Sequence, residues 1–347
     1  MSAQVKAAIL GASGYTGADL VRLLTLHPGV EISALTANAH AGKPLGAVYP
    51  HLGYLGLPDL VTVAEVDWSA LDVVFCALPH ATTQQIVKTL PKHLKIIDLS
   101  ADFRLEDPAI YAAWYGHEHY APDLQPEAVY GLPELYREQI ADGRLIACPG
   151  CYPTAVLLAL VPLVRAGLVT TEDLIIDAKS GLSGAGRGLK ENLLFCEAGE
   201  GLSPYAVGKH RHAPEIEQEI GKAAGRRVLV NFTPHLVPMS RGELVTCHLR
   251  LAGGATAADL REAHVKAYGN EIFVRLLPEG ALPSTQMVRG SNYAAIGTIQ
   301  DRIPGRAITI AGIDNLVKGS SGQAVQNMNL LFGFDESTAL LQPPLFP

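Results

Sequence analysis

Apolar and polar positions in the N-terminal part of the chain follow a strand, turn and helix order. Val5–Leu10 is a short apolar run, GASGYTG (Gly11–Gly17) follows it, and Ala18–Leu26 then carries apolar residues at helical spacing. Glu31–Leu35 is a second apolar run. Strand, glycine turn, helix and strand in this order are typical of the opening of a right-handed βαβ unit.

Two further apolar runs extend this pattern. Val73–Leu78 and Lys95–Leu99 are candidate buried strands, and each is followed by turn or helix signals. Buried strands connected in this way predict an α/β fold whose N-terminal domain is a doubly wound, Rossmann-type parallel sheet.

The pattern changes after Cys151. Ala155–Ala166 has the spacing of a helix, and Leu174–Ala178 is a strand that leads into the glycine-rich SGLSGAGRG (Ser180–Gly188). A final helix is predicted at Ser321–Leu331, before an irregular tail. The remaining apolar runs predict strands of a mixed or antiparallel sheet, and so a second, α+β domain: Val228–Val230, Leu244–Leu251, Ile272–Leu276, Ala294–Ile299 and Ala307–Ile313.

Length and composition limit the class of protein. The 347 residues predict two or three domains, since a domain usually has about 100–200 residues. Hydrophobic residues make up 48% of the chain and charged residues 18%, which is typical of a globular protein. With 27 Lys and Arg against 34 Asp and Glu, the net charge is −7, and no basic run provides for binding nucleic acid or anionic membranes.

The sequence also predicts a cytoplasmic protein. No apolar stretch approaches the roughly 20 residues of a membrane span, and the first apolar run is too short for a secretory signal. The five cysteines are an odd number in a long chain, which argues against a disulfide scaffold and for a reducing compartment.

The glycine turn Gly11–Gly17 lies between a strand and a helix, where a dinucleotide site requires it. Glycines let the backbone approach a pyrophosphate, and the N-terminus of the helix favours its charge. The spacing is G-x-x-G-x-x-G and not G-x-G-x-x-G, so a tight turn without a ligand remains an alternative.

The end of the second strand bears on the choice of cofactor. NAD sites usually place an acid there to bind the ribose 2′-hydroxyl, whereas this chain has Leu35-Thr36-Ala37-Asn38. Without an acid nothing repels a 2′-phosphate, so the sequence favours NADP. Thr36, Asn38 and Lys43 are the polar residues that could contact it.

Cys151 stands at the start of a helix in the segment Cys148-Pro-Gly-Cys151-Tyr-Pro-Thr. The N–H groups and the macrodipole of a helix N-terminus stabilise a thiolate, which is the state of a nucleophilic cysteine. A redox pair or half of a metal site are alternatives for C-x-x-C, but no second C-x-x-C completes a metal site. We interpret Cys148 and Cys76 as buried core cysteines and expect no metal.

Two histidines and an arginine follow in His210-Arg211-His212-Ala-Pro-Glu215, before a helix predicted at Pro214–Ala224. A histidine is the natural acid–base partner of a thiolate in carbonyl chemistry, and a solvated basic loop is the alternative. For Ser180–Gly188 the alternatives are a flexible loop and a backbone nest that binds an anion or the cofactor together with Arg187.

Seven segments, in the same order over residues 9 to 330, resemble one enzyme family. They are GASGYTG, DLSADFR (Asp98–Arg104), YGLPEL (Tyr130–Leu135), PGCYPT, SGLSGAGR, HRHAPEI and DNLVKGSSGQAVQNMN. Together they closely resemble the N-acetyl-γ-glutamyl-phosphate reductases of arginine biosynthesis. PGCYPT and HRHAPEI are the specific pair, whereas the glycine turn is shared with many oxidoreductases.

The resemblance implies a fold like those of aspartate-semialdehyde dehydrogenase and glyceraldehyde-3-phosphate dehydrogenase, in which the last helix returns to the first domain. It implies a dinucleotide-binding domain of residues 1–150 and 320–347. Residues 151–319 would form the domain for catalysis, substrate binding and oligomerisation. A homodimer or homotetramer is expected by the same resemblance.

The implied reaction is the NADPH-dependent reductive dephosphorylation of N-acetyl-L-glutamyl 5-phosphate to N-acetyl-L-glutamate 5-semialdehyde. Cys151 would attack the acyl phosphate and expel phosphate. Reduction of the thioester would give a hemithioacetal, which collapses to the aldehyde. His210 or His212 would act on its oxygen, and we favour His210 as the base.

The resemblance also implies cofactor and substrate residues. Arg211, Arg104 and Arg187 would bind the acyl phosphate substrate. The expected cofactor residues are Gly11, Ser13, Gly14, Tyr15, Thr16, Gly17, Thr36, Asn38, Ser180, Gly181 and Asn315.

Two positions depart from the pattern of that family. The family often has Asn where this chain has Cys148. A second thiol thus stands three residues from Cys151, and whether the two form a regulatory disulfide stays open. It often has Ser-Arg where this chain has Thr36-Ala37, which leaves open how strictly NADP is preferred over NAD.

Two other functions are alternatives. A lysine-pathway relative that reduces a carrier-protein-linked aminoadipyl phosphate would need a basic docking surface, which this acidic chain does not indicate. A non-catalytic dinucleotide-binding protein would have no need of Cys151 together with the HRH segment.

Overall fold

The computed structural model describes residues 4–346. They divide into two compact units. Unit 1 contains the chain up to Pro149 and Ser320–Leu341, and unit 2 contains Gly150–Gly319 and the chain from Gln342 onward. The predicted first domain includes this last stretch, whereas in the structure it belongs to unit 2, where the Leu345 N–H donates to the Arg289 carbonyl oxygen at 2.8 Å.

Unit 1 is built on a seven-stranded sheet in which every pair of neighbours is parallel. The strands are β1 (Val5–Leu10), β2 (Val30–Thr36), β3 (Leu60–Val61), β4 (Val73–Cys76), β5 (Lys95–Asp98), β6 (Ala128–Tyr130) and β7 (Leu145–Ala147). Four helices connect them: α1 (Tyr15–Leu24), α2 (Thr82–Val87), α3 (Pro108–Tyr115) and α4 (Pro133–Asp142). The spatial order β3-β2-β1-β4-β5-β7-β6 reverses beside β1, which confirms the predicted doubly wound sheet.

Unit 2 is built on a second sheet of seven strands. The strands are β8 (Leu174–Gly181), β9 (Ser203–Pro204), β10 (Val230–Val237), β11 (Glu243–Arg250), β12 (Val274–Leu276), β13 (Ala294–Gln300) and β14 (Arg306–Ile313). Their order is β12-β13-β14-β11-β8-β10-β9. The pairs β8/β10 and β12/β13 are parallel and the others antiparallel, so the predicted mixed sheet is confirmed.

The helices of unit 2 are α5 (Cys151–Arg165), α6 (Phe195–Ala198), α7 (Ala213–Ala224) and α8 (Ala257–Tyr268). A π-helical turn at Val317–Ser321 leads into α9 (Gly322–Leu331), which lies in unit 1 and packs against α1 and α4. The described residues include no helix with the length and apolar character to cross a membrane.

Helix α5 is the central element of unit 2. Its residues from Tyr152 to Val164 are all buried, and it packs against α7, α8, β11 and β14. Burying one leucine or valine contributes about 1.5–3 kcal/mol, so this helix is held firmly. It begins at Cys151, four residues before the predicted start at Ala155, because Pro153 is tolerated in a first turn.

One predicted strand was wrong in its extent. Apolar residues predicted a strand at Val228–Val230, whereas β10 covers Val230–Val237. Pro234 interrupts the apolar pattern, and proline usually argues against a strand. Here β10 has only the two-residue β9 on its outer side, so a missing N–H donor in the middle of the strand is tolerated.

Candidate active site

The glycine turn of unit 1 has no room for side chains at its ends. Gly11 has a φ of +80°, and a Cβ on it would lie 3.0 Å from the Ala77 carbonyl carbon. A Cβ on Gly17 would lie 2.7 Å from the Cα of Ala12. The predicted cofactor residues of this segment all lie between the end of β1 and the first turn of α1: Gly11, Ser13, Gly14, Tyr15, Thr16 and Gly17. A close backbone followed by a helix N-terminus fits a dinucleotide pyrophosphate.

The polar residues around this turn differ in their environments. Thr36 is buried, and its Oγ1 accepts a hydrogen bond from the Gly11 N–H at 3.3 Å. The Ser13 carbonyl oxygen accepts one from the Tyr49 hydroxyl at 2.9 Å. Asn38, just beyond β2, is exposed. Thr36 therefore shapes the turn, whereas Asn38 is accessible to a ligand.

Cys151 is the first residue of α5; it forms no disulfide, and it is half-buried. Gly319 approaches it closely, since a Cβ on Gly319 would lie 2.8 Å from the Cβ of Cys151. The position at the helix N-terminus favours the thiolate, because N–H groups without intrahelical partners surround it.

The HRHAPE segment packs on the residue before Cys151. A Cβ on Gly150 would lie 2.7 Å from the Cε1 of His212, so the imidazole occupies the space of a side chain there. The Gly150 N–H also donates to Oε1 of Glu215 at 2.9 Å, from the first turn of α7. The segments predicted to hold the nucleophile and the acid–base group are thus brought together in unit 2.

His210 is held in one tautomer. Its Nδ1 accepts a hydrogen bond from the His212 backbone N–H at 3.1 Å, which leaves the proton of the neutral ring on Nε2. Its ring packs edge-on against Tyr152 at 5.7 Å and Phe232 at 5.4 Å. Burial, with a smaller contribution from the Arg211 charge, lowers the pKa of His210 to about 4, so the ring is neutral near pH 7.

Glu243 is a site residue that no sequence motif marks. It is the first residue of β11, it is wholly buried, and its side chain is hydrogen-bonded with the Cys151 thiol. Burial raises the pKa of Glu243 to about 8; the bond with Cys151 opposes this shift and the Asp314 charge adds to it. Only the pairing of β11 between β8 and β14 brings this glutamate to the start of α5.

Two tyrosines adjoin the same residues and were not predicted. The Tyr205 hydroxyl donates to the Tyr152 hydroxyl at 3.3 Å, and Tyr152 donates to the His235 carbonyl oxygen at 3.2 Å. The ring of Tyr205 lies 5.2 Å from that of His210. Burial raises the pKa of both phenols, so both stay protonated near pH 7.

The end of β8 gathers three of the residues predicted to contact the cofactor. Asn315 Oδ1 accepts from the Gly242 N–H at 2.9 Å, and its Nδ2 donates to the Ser183 hydroxyl at 2.9 Å. The Gly181 N–H donates to the Gly242 carbonyl oxygen at 2.9 Å, and Ser180 is buried beside it. Ser180, Gly181 and Asn315 therefore form one hydrogen-bonded corner of unit 2.

The three predicted substrate arginines differ in exposure. Arg187 and Arg211 are exposed residues of unit 2. Arg104 is buried in unit 1, where its Nε donates to the Cys148 carbonyl oxygen at 2.7 Å and its Nη2 to that of Leu99 at 3.0 Å. Two of its nitrogens thus hold the backbone of unit 1.

Cys148 is a buried free thiol, as predicted. Burial raises its pKa to about 12, against a weaker opposing effect of Asn327, whose Nδ2 lies 3.5 Å from the sulfur. Cys76 is buried as well. Residues 4–346 contain no group of three or more His, Cys, Asp or Glu side chains that could hold a metal ion.

Comparison with known proteins matches both units to one superfamily. Residues 6–143 match a family profile described as "Semialdehyde dehydrogenase, NAD binding domain". Residues 151–315 match "Semialdehyde dehydrogenase, dimerisation domain", which supports an oligomeric assembly.

Relatives of known name are similar over the whole chain. N-acetyl-gamma-glutamyl-phosphate reductase from Rhodospirillum rubrum is 58% identical, with 100% of both chains covered. That from Afipia carboxidovorans is 55% identical, with 99% of both chains covered. A probable chloroplastic enzyme of the same name from Arabidopsis thaliana is 54% identical over 99% of this chain and 86% of its own length.

Solved structures of low identity share the fold. Aspartate semialdehyde dehydrogenase II from Vibrio cholerae superimposes with a TM-score of 0.73 at 18% identity, covering 96% of this chain and 99% of that one. Aspartate semialdehyde dehydrogenase with NADP from Candida albicans gives 0.69 at 19% identity, with 95% and 99% covered.

These matches confirm the predicted fold class and an oxidoreductase with a dinucleotide cofactor. The identity to named relatives far exceeds what fold similarity alone requires, and it extends over both units. The chain belongs to the N-acetyl-γ-glutamyl-phosphate reductase family, as its motifs predicted.

Proposed function

We propose that this chain reduces N-acetyl-L-glutamyl 5-phosphate to N-acetyl-L-glutamate 5-semialdehyde with NADPH, through a thioester on Cys151. The observation that carries the proposal is the position of Cys151 at the start of α5, with the His212 ring against Gly150. The names of the relatives supply the substrate.

In the first step Cys151 attacks the acyl carbon. The bond from Sγ to carbon forms, and the bond from carbon to the phosphate oxygen breaks, with its electron pair leaving on phosphate. An acyl phosphate is already activated, so the nucleophile needs thiolate character more than a strong base. The N–H groups in the first turn of α5 support that character.

In the second step the thioester is reduced, for which NADPH, when bound, would supply the hydride. His210 donates a hydrogen bond from Nε2 to the oxyanion of the hemithioacetal, since His212 holds its Nδ1 as an acceptor. Collapse then breaks the bond from Sγ to carbon and releases the aldehyde. His212 acts through His210 and through Gly150 as a positioning residue.

Separate substitutions test these two roles. His210→Asn is expected to lower kcat about 10²–10³-fold, the usual effect of losing one oxyanion donor. His212→Asn keeps the backbone N–H that orients His210 and is expected to cost less. A larger loss in His212→Asn than in His210→Asn would transfer the donor role to His212.

NADP is the proposed cofactor. Gly11 and Gly17 leave the backbone bare for a pyrophosphate, and β2 ends without an acid that would repel a 2′-phosphate. Exposed Asn38 and Lys43 would contact that phosphate. We expect kcat/KM to be higher with NADP than with NAD, and Lys43→Ala to lower only the NADP value. Equal values for the two cofactors in the wild type would contradict the preference.

Arg187 and Arg211 are proposed to bind the phosphate or the α-carboxylate of the substrate, since both are exposed cations near the end of β8 and the start of α7. A substrate role for Arg104 stays a proposal; its two bonds hold the backbone of unit 1 at Cys148 and Leu99. Arg187→Ala and Arg211→Ala should raise KM more than they lower kcat.

We further propose a homodimer or homotetramer formed through unit 2. Large apolar side chains are exposed between β8 and α7, among them Leu189 at 91% and Phe195 at 88% exposure. Apolar surface of this kind is typical of subunit contacts. Light scattering should give the mass of two or four chains, and Phe195→Asp should lower it; a monomer in the wild type would contradict the assembly.

The overall test is an assay in the reverse direction. The wild type should oxidise N-acetylglutamate semialdehyde with NADP only when phosphate is present. Aspartate semialdehyde is the matched control, because the structural neighbours are named for it. A higher kcat/KM for aspartate semialdehyde would overturn the proposed substrate.

A further inference from the structure

A buried carboxyl group beside Cys151 has no part in the steps described so far. Glu243 begins β11, where it pairs with Ser180 of β8 and Ile313 of β14, so it lies within the sheet and not at its edge. Its side chain has no exposed surface.

The carboxyl group of Glu243 lacks the bonds that buried acids normally make. Neither oxygen has a nitrogen or oxygen hydrogen-bond partner in residues 4–346, and its side-chain partner is the Cys151 thiol. Nearby Asp314, also wholly buried, accepts bonds from the N–H groups of Gly290 and Leu316. Buried polar groups are nearly always satisfied, so an acid left with a thiol alone points to a role in the chemistry of that thiol.

The surroundings of Glu243 contain acids and phenols. Its charge raises the pKa of Tyr152 and Tyr205, and the Asp314 charge raises its own. Arg241 is the nearby cation, and its Nη1 lies 3.6 Å from Asp314. Burial brings the pKa of Glu243 to about 8. A general base acts most efficiently when its pKa lies near the operating pH.

We propose that Glu243 is a catalytic residue that takes the Cys151 proton during attack and delivers a proton from water to the thiolate at the end of the cycle. This rests on the proposed function. In molecules in which Glu243 is ionised, the proton moves from Sγ to its carboxylate, and Sγ forms its bond to the acyl carbon. The departing phosphate takes that proton and leaves as hydrogenphosphate. After hemithioacetal collapse, Glu243 takes up a proton from water and passes it to the Cys151 thiolate, so the carboxylate and the thiol return to their starting states.

The test uses the wild-type full chain, Glu243→Gln and the control Glu219→Gln. Glu219 is a buried acid on α7 whose carboxyl bonds to Lys222 at 2.6 Å. With N-acetylglutamate semialdehyde and NADP but no phosphate, one turnover of NADPH reports thiol addition and hydride transfer. Glu243→Gln should slow this burst about 10²–10⁴-fold near pH 7, the usual contribution of a general base. Above pH 9 hydroxide ionises the thiol directly, so the deficit should shrink.

The outcomes separate this role from a structural one. A deficit of the same size at every pH, or no deficit, would overturn the role of Glu243. Glu243→Asp, which keeps a carboxylate, should recover part of the rate; no recovery counts against proton transfer. A wild type that shows no burst would instead refute the proposed function itself, and Glu219→Gln should match the wild type throughout.

Discussion

Cys148 and Cys151 stand three positions apart in the chain, yet their environments are opposite. Cys148 is buried in unit 1 behind β7, where burial raises its pKa to about 12. Cys151 is half-exposed at the first position of α5, with the carboxyl group of Glu243 on its thiol. The reactivity of each cysteine therefore depends on its local environment. Burial in the core disfavours ionisation of the Cys148 thiol, whereas the helix N-terminus favours ionisation of the Cys151 thiol.

The largest expected difference is in activity. Cys151→Ser should lower phosphate-dependent oxidation of the semialdehyde by about 10⁴-fold or more, as loss of a covalent nucleophile does. Cys148→Ala should keep most of the activity, because its thiol bonds only within unit 1. Steady-state kinetics on both variants checks this contrast. Comparable losses in both would contradict it.

The next largest expected difference is in the rate at which the thiols of Cys151 and Cys148 are alkylated. At pH 8 a thiol of pKa about 12 has roughly 10³-fold less thiolate than an ordinary thiol of about 8.5. Iodoacetamide should therefore label Cys151 and leave Cys148 unlabelled on the same timescale. Exposed Cys196 is the internal reference in peptide mapping. Labelling of Cys148 as fast as Cys196 would show that unit 1 does not protect it.

A methyl group at Gly150 should disturb the surroundings of Cys151 and leave those of Cys148 unchanged. The Cβ of Gly150→Ala would lie 2.7 Å from His212 Cε1, so the ring must shift. A misplacement of about 1 Å that reaches the reacting groups can cost about 10²-fold in rate, even when it starts at a positioning residue. Gly201→Ala is the matched control, since the nearest atom to its Cβ would be at 3.7 Å. An unchanged kcat in Gly150→Ala would show that the His212 position is unimportant.

The smallest expected effect is on stability. Unfolded His210 binds a proton near the ordinary pKa of about 6.5, whereas the folded protein binds it only near 4. Between these values the unfolded state holds more protons, so the free energy of unfolding falls as pH falls from 6.5 to 4. His210→Asn should make the free energy of unfolding depend less on pH. Between pH 6.5 and pH 4 its decrease should be smaller by about 1–3 kcal/mol than in the wild type. Denaturant melts at pH 4.5 and 7 check it, and identical slopes would place His210 in solvent.

Local features of the site were predictable, and distant ones were not. Cys151 and the HRH segment are recognisable because each combines reactive side chains with the start of a helix over a few residues. Glu243 lies far from Cys151 in the sequence, and only the pairing of β11 with β8 brings the two residues together. A single glutamate in a strand matches no sequence motif. Thr36 was predicted from its position alone, so its inward hydrogen bond to Gly11 could not be foreseen.

The fold shows the same division. Strand β4 is apolar throughout and β1 is apolar except for Lys6, because both faces of the sheet are covered, and both strands were placed within one or two residues. β10 was mostly missed because Pro234 breaks its pattern. Pro234 is tolerated because the neighbouring strand β9 is only two residues long. That pairing depends on the tertiary structure and cannot be recognised from the local sequence.

The central claim, a covalent thioester on Cys151, is tested most directly by mass spectrometry of the intact protein. The enzyme is mixed with N-acetylglutamate semialdehyde and NADP without phosphate, and quenched in acid. We predict one N-acetylglutamyl adduct, mapped to the peptide that begins α5, present in Cys148→Ala and absent in Cys151→Ser. An adduct on Cys148, or full turnover by the wild type with no adduct, would contradict the account.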